Sequence, residues 1–213
     1  MAEPVAEPVA EPVAEPIAPP PSPPPDVSVG QEGRVDIMAS SISGEYTTMR
    51  LSVELTAEQS NVYAMSGTAT TGPLTAPAAY QVATPFGADI GGVSPTFFAI
   101  ANNAALGFSE FDSWLTIGVT DGSAAGAIAA SPGFDIATGW TADTPLSQDD
   151  GAIFYMDPST MGANAGTDPI VLMQITMPTA DMGSAGQTMA TAALNGRTAN
   201  SDTDWEGQRM VWS

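Results

Sequence analysis

The sequence predicts an all-β protein: an antiparallel β-sandwich of about eight or nine short strands, preceded by an extended Pro-rich N-terminal segment. Three observations lead there. Short runs of alternating apolar and polar residues recur along the chain, most of them closed by Gly, Asn-Gly, Asp-Gly or Asp-Pro turn signals. No stretch of a dozen residues has helix-period hydrophobicity. Residues 1–26 are punctuated by proline, which sets them apart from a β-domain expected over 27–213.

The N-terminal segment repeats a four-residue unit, Ala2-Glu3-Pro4-Val5, through Ala14-Glu15-Pro16-Ile17. Proline at every fourth position forbids a regular helix and biases each preceding glutamate to extended backbone, so a polyproline-II-like spacer is expected. Repulsion among Glu3, Glu7, Glu11 and Glu15 stiffens it, and residues 2–25 would reach roughly 70 Å if fully extended in that form. The run Pro19-Pro20-Pro21-Ser22-Pro23-Pro24-Pro25 lacks the flanking arginine that an SH3-type groove would engage. Its Ser-Pro-Pro-Pro unit resembles the repeats of hydroxyproline-rich wall glycoproteins.

The strands follow in order. Gly33-Arg34-Val35-Asp36-Ile37-Met38 opens the domain, and residues 47–55 then alternate cleanly, with Met49, Leu51, Val53 and Leu55 on one face and Arg50, Ser52 and Glu54 on a face expected to be wet. Residues 61–66 form a third strand closed by Gly67. Residues 80–108 are apolar but broken by Gly and Pro, which predicts a packed irregular segment, with a helical turn over Asn102 to Gly107. The run from Trp114 to Thr120 reads as an organising strand, its Leu115, Ile117 and Val119 face turned inward and Trp114 capping the core edge. Residues 152–156 form a strand stopped by Asp157-Pro158, residues 170–177 the most hydrophobic one, residues 188–194 one ended by Asn195-Gly196, and residues 208–212 the last.

Composition narrows the chemistry. The chain has 213 residues and neither His nor Cys, and its four basic residues are all arginine: Arg34, Arg50, Arg197 and Arg209. An imidazole base, a thiolate nucleophile, a disulfide, a zinc–thiolate site, a lysine Schiff base and a Ser–His–Asp triad are therefore all unavailable within it. Against four cations stand 24 acids, for a net charge of −20. Such a surface repels nucleic acid and anionic membranes and favours cations and basic partners. No apolar run is long enough to cross a membrane as a helix. No signal peptide is visible after Met1, which leaves either a removed leader or a cytoplasmic location.

Candidate ligands are oxygen donors and aromatics. Asp202-Thr203-Asp204-Trp205-Glu206-Gly207 places Asp202, Asp204 and Glu206 at the alternate positions that open an EF-hand loop, so calcium is the one cofactor the pattern accommodates. Its twelfth position is Ser213 instead of a bidentate glutamate. A second acidic group, Asp149 and Asp150 with Asp143 and Asp157, flanks the 152–156 strand and suits a hard cation. Trp140 and Trp205, in Gly/Asp-rich surroundings, are the candidates for stacking on a sugar. A carboxylate pair could also hydrolyse a glycoside, but among 24 acids the sequence selects none.

The phrases at 61–64, 78–87, 95–100, 111–120 and 150–154 resemble a β-rich module, often repeated, in predicted secreted or surface proteins of marine microalgae. The likeness would span residues 46–212. It implies a non-enzymatic extracellular or cell-surface structural or adhesive role, binding a protein or polysaccharide partner or assembling with itself. Calcium-dependent carbohydrate binding is the second expectation and a carboxylate-pair hydrolase the third. No Asn-X-Ser/Thr acceptor for N-glycosylation is present.

Overall fold

The computed structural model describes residues 33–38, 45–123, 126–157, 163–164, 168–183, 189–200 and 203–213. The Pro-rich segment and the boundary drawn at residue 26 lie outside them. The strands are β1 (Gly33–Met38), β2 (Tyr46–Val53), β3 (Asn61–Val62), β4 (Ala64–Gly67), β5 (Leu74–Ala76), β6 (Asn102–Asn103), β7 (Gly107–Phe108), β8 (Trp114–Leu115), β9 (Ile128–Ala130), β10 (Leu146–Gln148), β11 (Gly151–Tyr155), β12 (Ala163–Asn164), β13 (Ile170–Pro178), β14 (Ala190–Arg197) and β15 (Asp204–Trp212). Two short helices interrupt them, α1 (Pro95–Ala101) and α2 (Ile136–Gly139).

The fold is all-β, as expected, and its strands pair antiparallel. One sheet runs β1-β2-β13-β8. In the larger, seven-stranded sheet, β14 pairs with β15 along one edge, while β4 and β5 share its opposite edge and continue to β11 and β9 and to β10 respectively; β3 with β12 and β6 with β7 form two small pairs. The core draws Met49, Leu51, Met173 and Ile175 from the first sheet and Met65, Leu74, Ile153, Leu194 and Trp212 from the second. Trp212 also ties the sheets together, its indole Nε1 donating to the Ser52 carbonyl at 2.8 Å. A buried indole N–H needs such a partner, because leaving it unpaired costs about 1–3 kcal/mol.

The inward face of β2 is as expected, with Met49, Leu51 and Val53 fully buried. Of the face expected to be wet, only Glu54 is exposed. Thr48 and Ser52 are buried and Arg50 is half-buried. Residues 110–114 cover part of that side. Gln174 of β13 accepts from Arg50 Nε at 3.0 Å and donates to the Asp112 and Glu110 carbonyls at 2.8 and 3.1 Å, while the Arg50 guanidinium lies 5.6 Å from the Trp114 ring centre. Thr48 and Thr176 pair their hydroxyls across the strands at 2.7 Å.

The segment read as a strand from Trp114 to Thr120 is shorter and more deeply buried than its alternation implied. Only β8 is regular, and Trp114, Leu115, Thr116 and Ile117 are all buried, so Trp114 sits inside instead of capping an edge. The chain still follows β13, because Thr116 N and Gly118 N donate to the carbonyls of Leu172 and Val171. There β13 carries a bulge between Val171 and Met173, and Gly118 turns away at a φ of 78°. The helix of this region lies at Pro95–Ala101, and residues 102–108 form the β6–β7 hairpin instead of a helical turn. Asn195-Gly196 does not end its strand either, since β14 runs through it to Arg197 with a bulge between Leu194 and Gly196.

Candidate functional site

A cleft of about 360 Å³ opens between residues 87–97 on one side and Gly122 and Ile128 on the other. Its walls are Gly87, Ala88, Ile90, Gly92, Val93, Ser94, Phe97, Gly122 and Ile128. Two features of the sequence build it. The first is Asp112, fully buried, whose carboxylate oxygens accept from Val82 N and Ala88 N at 2.7 Å each. This clamps the 82–88 loop that forms one wall. Burial pushes the Asp112 carboxyl up to about 7, against the downward pull of the Ala88, Val82 and Ser113 amides.

The second is glycine at close approaches. A Cβ on Gly92 would stand 2.4 Å from the Thr120 carbonyl oxygen, and one on Gly122 would stand 2.9 Å from Ser94 N. Only glycine lets the 91–94 and 120–122 segments lie this close, joined by Gly122 N donating to Gly91 O at 3.0 Å. Helix α1 then carries Phe97 into the cleft lining, braced edge-to-face by Phe86 at 5.8 Å. Ile100, one turn further along α1, is exposed.

Two carboxylates adjoin the lining residues in sequence, Asp89 between Ala88 and Ile90 and Asp121 before Gly122, and Asp135 acts electrostatically on Asp89. Burial and then the negative charge of Asp135 raise the Asp89 carboxyl above its ordinary range. Asp135 caps α2, accepting from Thr138 N at 3.1 Å, and Asp121 accepts from Ser123 N at 3.0 Å; hydroxyl and amide partners hold both below the ordinary range. The arginines whose side chains are described are engaged elsewhere: Arg50 at Gln174 and Trp114, Arg197 at Asp204, and Arg209 at the Thr71 carbonyl.

The residues singled out from the sequence lie elsewhere. Asp202 falls outside the described residues. Asp204 and Glu206 lie on β15, and Asp204 forms an ion pair of 2.8 Å with Arg197, its register partner on β14. The Arg197 guanidinium lies 6.0 Å from the centre of the Tyr63 ring. Burial, then the charge of Asp204 and a hydrogen bond to it, and then Glu206, raise the Tyr63 phenol above its ordinary value. Tyr63 and Arg197, missed in the sequence, thus join Asp204 and Glu206 in one surface group.

Trp205 was expected in a loop beside those acids. It stands on β15 instead, and strand alternation turns it to the face opposite Asp204 and Glu206, where it packs partly buried over Gly196 and donates from Nε1 to the Arg197 carbonyl at 2.9 Å. Trp140 cannot serve as a sugar platform. It is fully buried at the end of α2, with Nε1 donating to the Pro77 carbonyl at 2.7 Å. A flat exposed face is the requirement for stacking, and that indole presents none.

Asp149 and Asp150 are exposed in the β10–β11 turn, where Gln148 Nε2 donates to the Asp150 carbonyl at 2.8 Å. Among the described residues no three carboxylates converge in the manner of a metal site, and no helix is long and apolar enough to cross a membrane. Compared with family models, curated proteins and solved structures, the chain finds no match in any of the three. The cleft itself offers apolar side chains, backbone and one hydroxyl.

Proposed function

We propose that this chain is a non-enzymatic surface, wall or matrix module, structural or adhesive, that holds a partner through the cleft between residues 87–97 on one side and Gly122 and Ile128 on the other. The observation that carries this reading is the cleft's lining, in which Ile90, Val93, Phe97 and Ile128 surround a space whose walls meet through close glycine contacts. Apolar and aromatic side chains with a few polar groups are what recognition sites use. The Pro-rich segment supports an extracellular or cell-surface setting, since a stiff acidic spacer would carry a binding domain clear of the surface it is attached to.

The test is adhesion. Beads coated with the 213-residue chain should adhere to cell-wall preparations, and free chain should compete. Filling the cleft with Ser94→Trp should reduce the adhesion while circular dichroism stays unchanged. Beads that bind no wall material would remove the adhesive role, and release of sugars by the chain would replace it with hydrolysis.

Calcium-dependent carbohydrate binding is the second reading, favoured by one observation: Asp204 and Glu206 stand at alternate, exposed positions of β15 and so share a face. It requires a calcium-specific rise in melting temperature that magnesium does not reproduce. A site filled at a hundred times its dissociation constant would add about 2.7 kcal/mol, or several degrees. An unchanged melt in Asp204→Asn as well as in the unaltered chain would dispose of it.

A further inference from the structure

The cleft's chemistry specifies the kind of partner. Its interior is apolar, with Ile90, Val93, Phe97 and Ile128 supplying the side chains. Acidic residues adjoin it in the chain, Asp89 between the lining residues Ala88 and Ile90 and Asp121 before Gly122, with Asp135 close enough to act on Asp89, and the described arginine side chains are engaged elsewhere. Ile100, exposed three residues beyond the lining residue Phe97, extends the apolar side of α1 by a turn, in a helix of sequence Pro-Thr-Phe-Phe-Ala-Ile-Ala with no charged residue. A small amine would leave that extension uncovered. A polypeptide would cover it.

We propose that the cleft takes an apolar side chain presented between basic residues on a segment of a partner protein, the apolar group entering between Ile90, Val93, Phe97 and Ile128 and the basic groups meeting Asp89, Asp121 and Asp135. This rests on the partner-holding reading above and names the partner's chemistry. The net charge of −20 steers such a segment towards the chain, and the local carboxylates fix it once it arrives. A second copy of this chain is a poor occupant for the same reason, since its own surface carries the same sign.

The experiment is fluorescence anisotropy on the full chain with a labelled peptide of alternating lysine and leucine, and with a control of the same charge in which serine replaces leucine. One lysine–leucine peptide should bind per chain, weakening with added salt. The serine control, and the lysine–leucine peptide on Ser94→Trp, should each bind about tenfold more weakly or worse, as expected for losing one buried apolar side chain. Ile100→Ser should weaken binding by less.

The double variant Asp89→Asn, Asp135→Asn fills no space and keeps a capping side chain on α2, so it guards against misfolding of Ser94→Trp. It should weaken binding several-fold and flatten its salt dependence. Equal binding of both peptides, or affinity unchanged in all of these variants, would mean adsorption to a general acidic surface and would overturn the proposal. Adhesion that survives while the peptide fails would leave the module's role standing with a different ligand. Peptide binding without adhesion would do the reverse.

Discussion

The indole of Trp205 occupies the space that any side chain on Gly196 would need. The two are register partners across β14 and β15, and a Cβ on Gly196 would lie 2.4 Å from Trp205 Cζ2 and 1.8 Å from the Asn61 carbonyl oxygen. With no side chain in the way, the indole can lie flat on the bulge and reach the Arg197 carbonyl. This holds the Arg197–Asp204 pair in place from the opposite face of the hairpin.

Gly196→Ala should therefore cost about 2–4 kcal/mol, as overpacking against backbone does when nothing can yield. Denaturant unfolding followed by tryptophan fluorescence measures it. Gly139→Ala in α2 is the control. Nothing lies within 4 Å of a Cβ there, and the change should be neutral or stabilise by up to about 1 kcal/mol. Equal costs at both positions would contradict the close-packing account.

Tyr63 should ionise late. Burial raises its phenol first, and Asp204 and Glu206 raise it further by disfavouring a phenolate beside them, with Arg197 acting in the opposite sense. Burial alone raises Tyr155, whose hydroxyl donates to the Ile117 carbonyl at 3.0 Å. Alkaline spectrophotometric titration should show a late-ionising fraction, of which Tyr63→Phe removes part. Asp204→Asn should bring Tyr63 back towards its ordinary value, and an unchanged titration in that variant would show that the pair does not interact.

Asp112 should make the protein more stable in mild acid than at neutral pH. Its folded-state carboxyl is raised to about 7 while the unfolded one stays near its ordinary value of about 4, so between these limits the native state binds more protons. Stability then falls as pH rises from about 4 to about 7, by at most one proton's worth per unit, and levels off above. The overall negative charge gives the same sign, so the diagnostic quantity is the difference between wild type and Asp112→Asn. That variant should lose its share of the slope. It should also cost about 1–3 kcal/mol, because an amide NH₂ would then face the Val82 or Ala88 N–H.

Trp140→Phe should destabilise by about 2–4 kcal/mol, combining lost burial with an unpaired Pro77 carbonyl. Because Trp140 is not part of the cleft, lysine–leucine peptide binding to the folded variant should be unchanged. Lost binding with retained fold would mean that α2 and the cleft are coupled.

The sequence by itself determined the fold class and most of the strands. Alternation and turn residues are local signals, and Gly33–Met38, residues 46–53 and residues 170–178 pair along nearly the whole length that their patterns indicated. The absence of His and Cys likewise excluded whole classes of chemistry without any structure. Only the tertiary structure decided which faces are covered and which residues meet. Period two says that Arg50 and Ser52 share a face, but not that residues 110–114 fold over that side. Composition drew attention to Trp140 and Trp205, but their burial depends on Pro77, on Arg197 and on the register of β14 with β15. The cleft was illegible for the same reason. Its walls need Asp112 to grip residues 82 and 88, and Gly92 to meet Thr120, contacts between residues some 24 to 30 positions apart that no local pattern encodes.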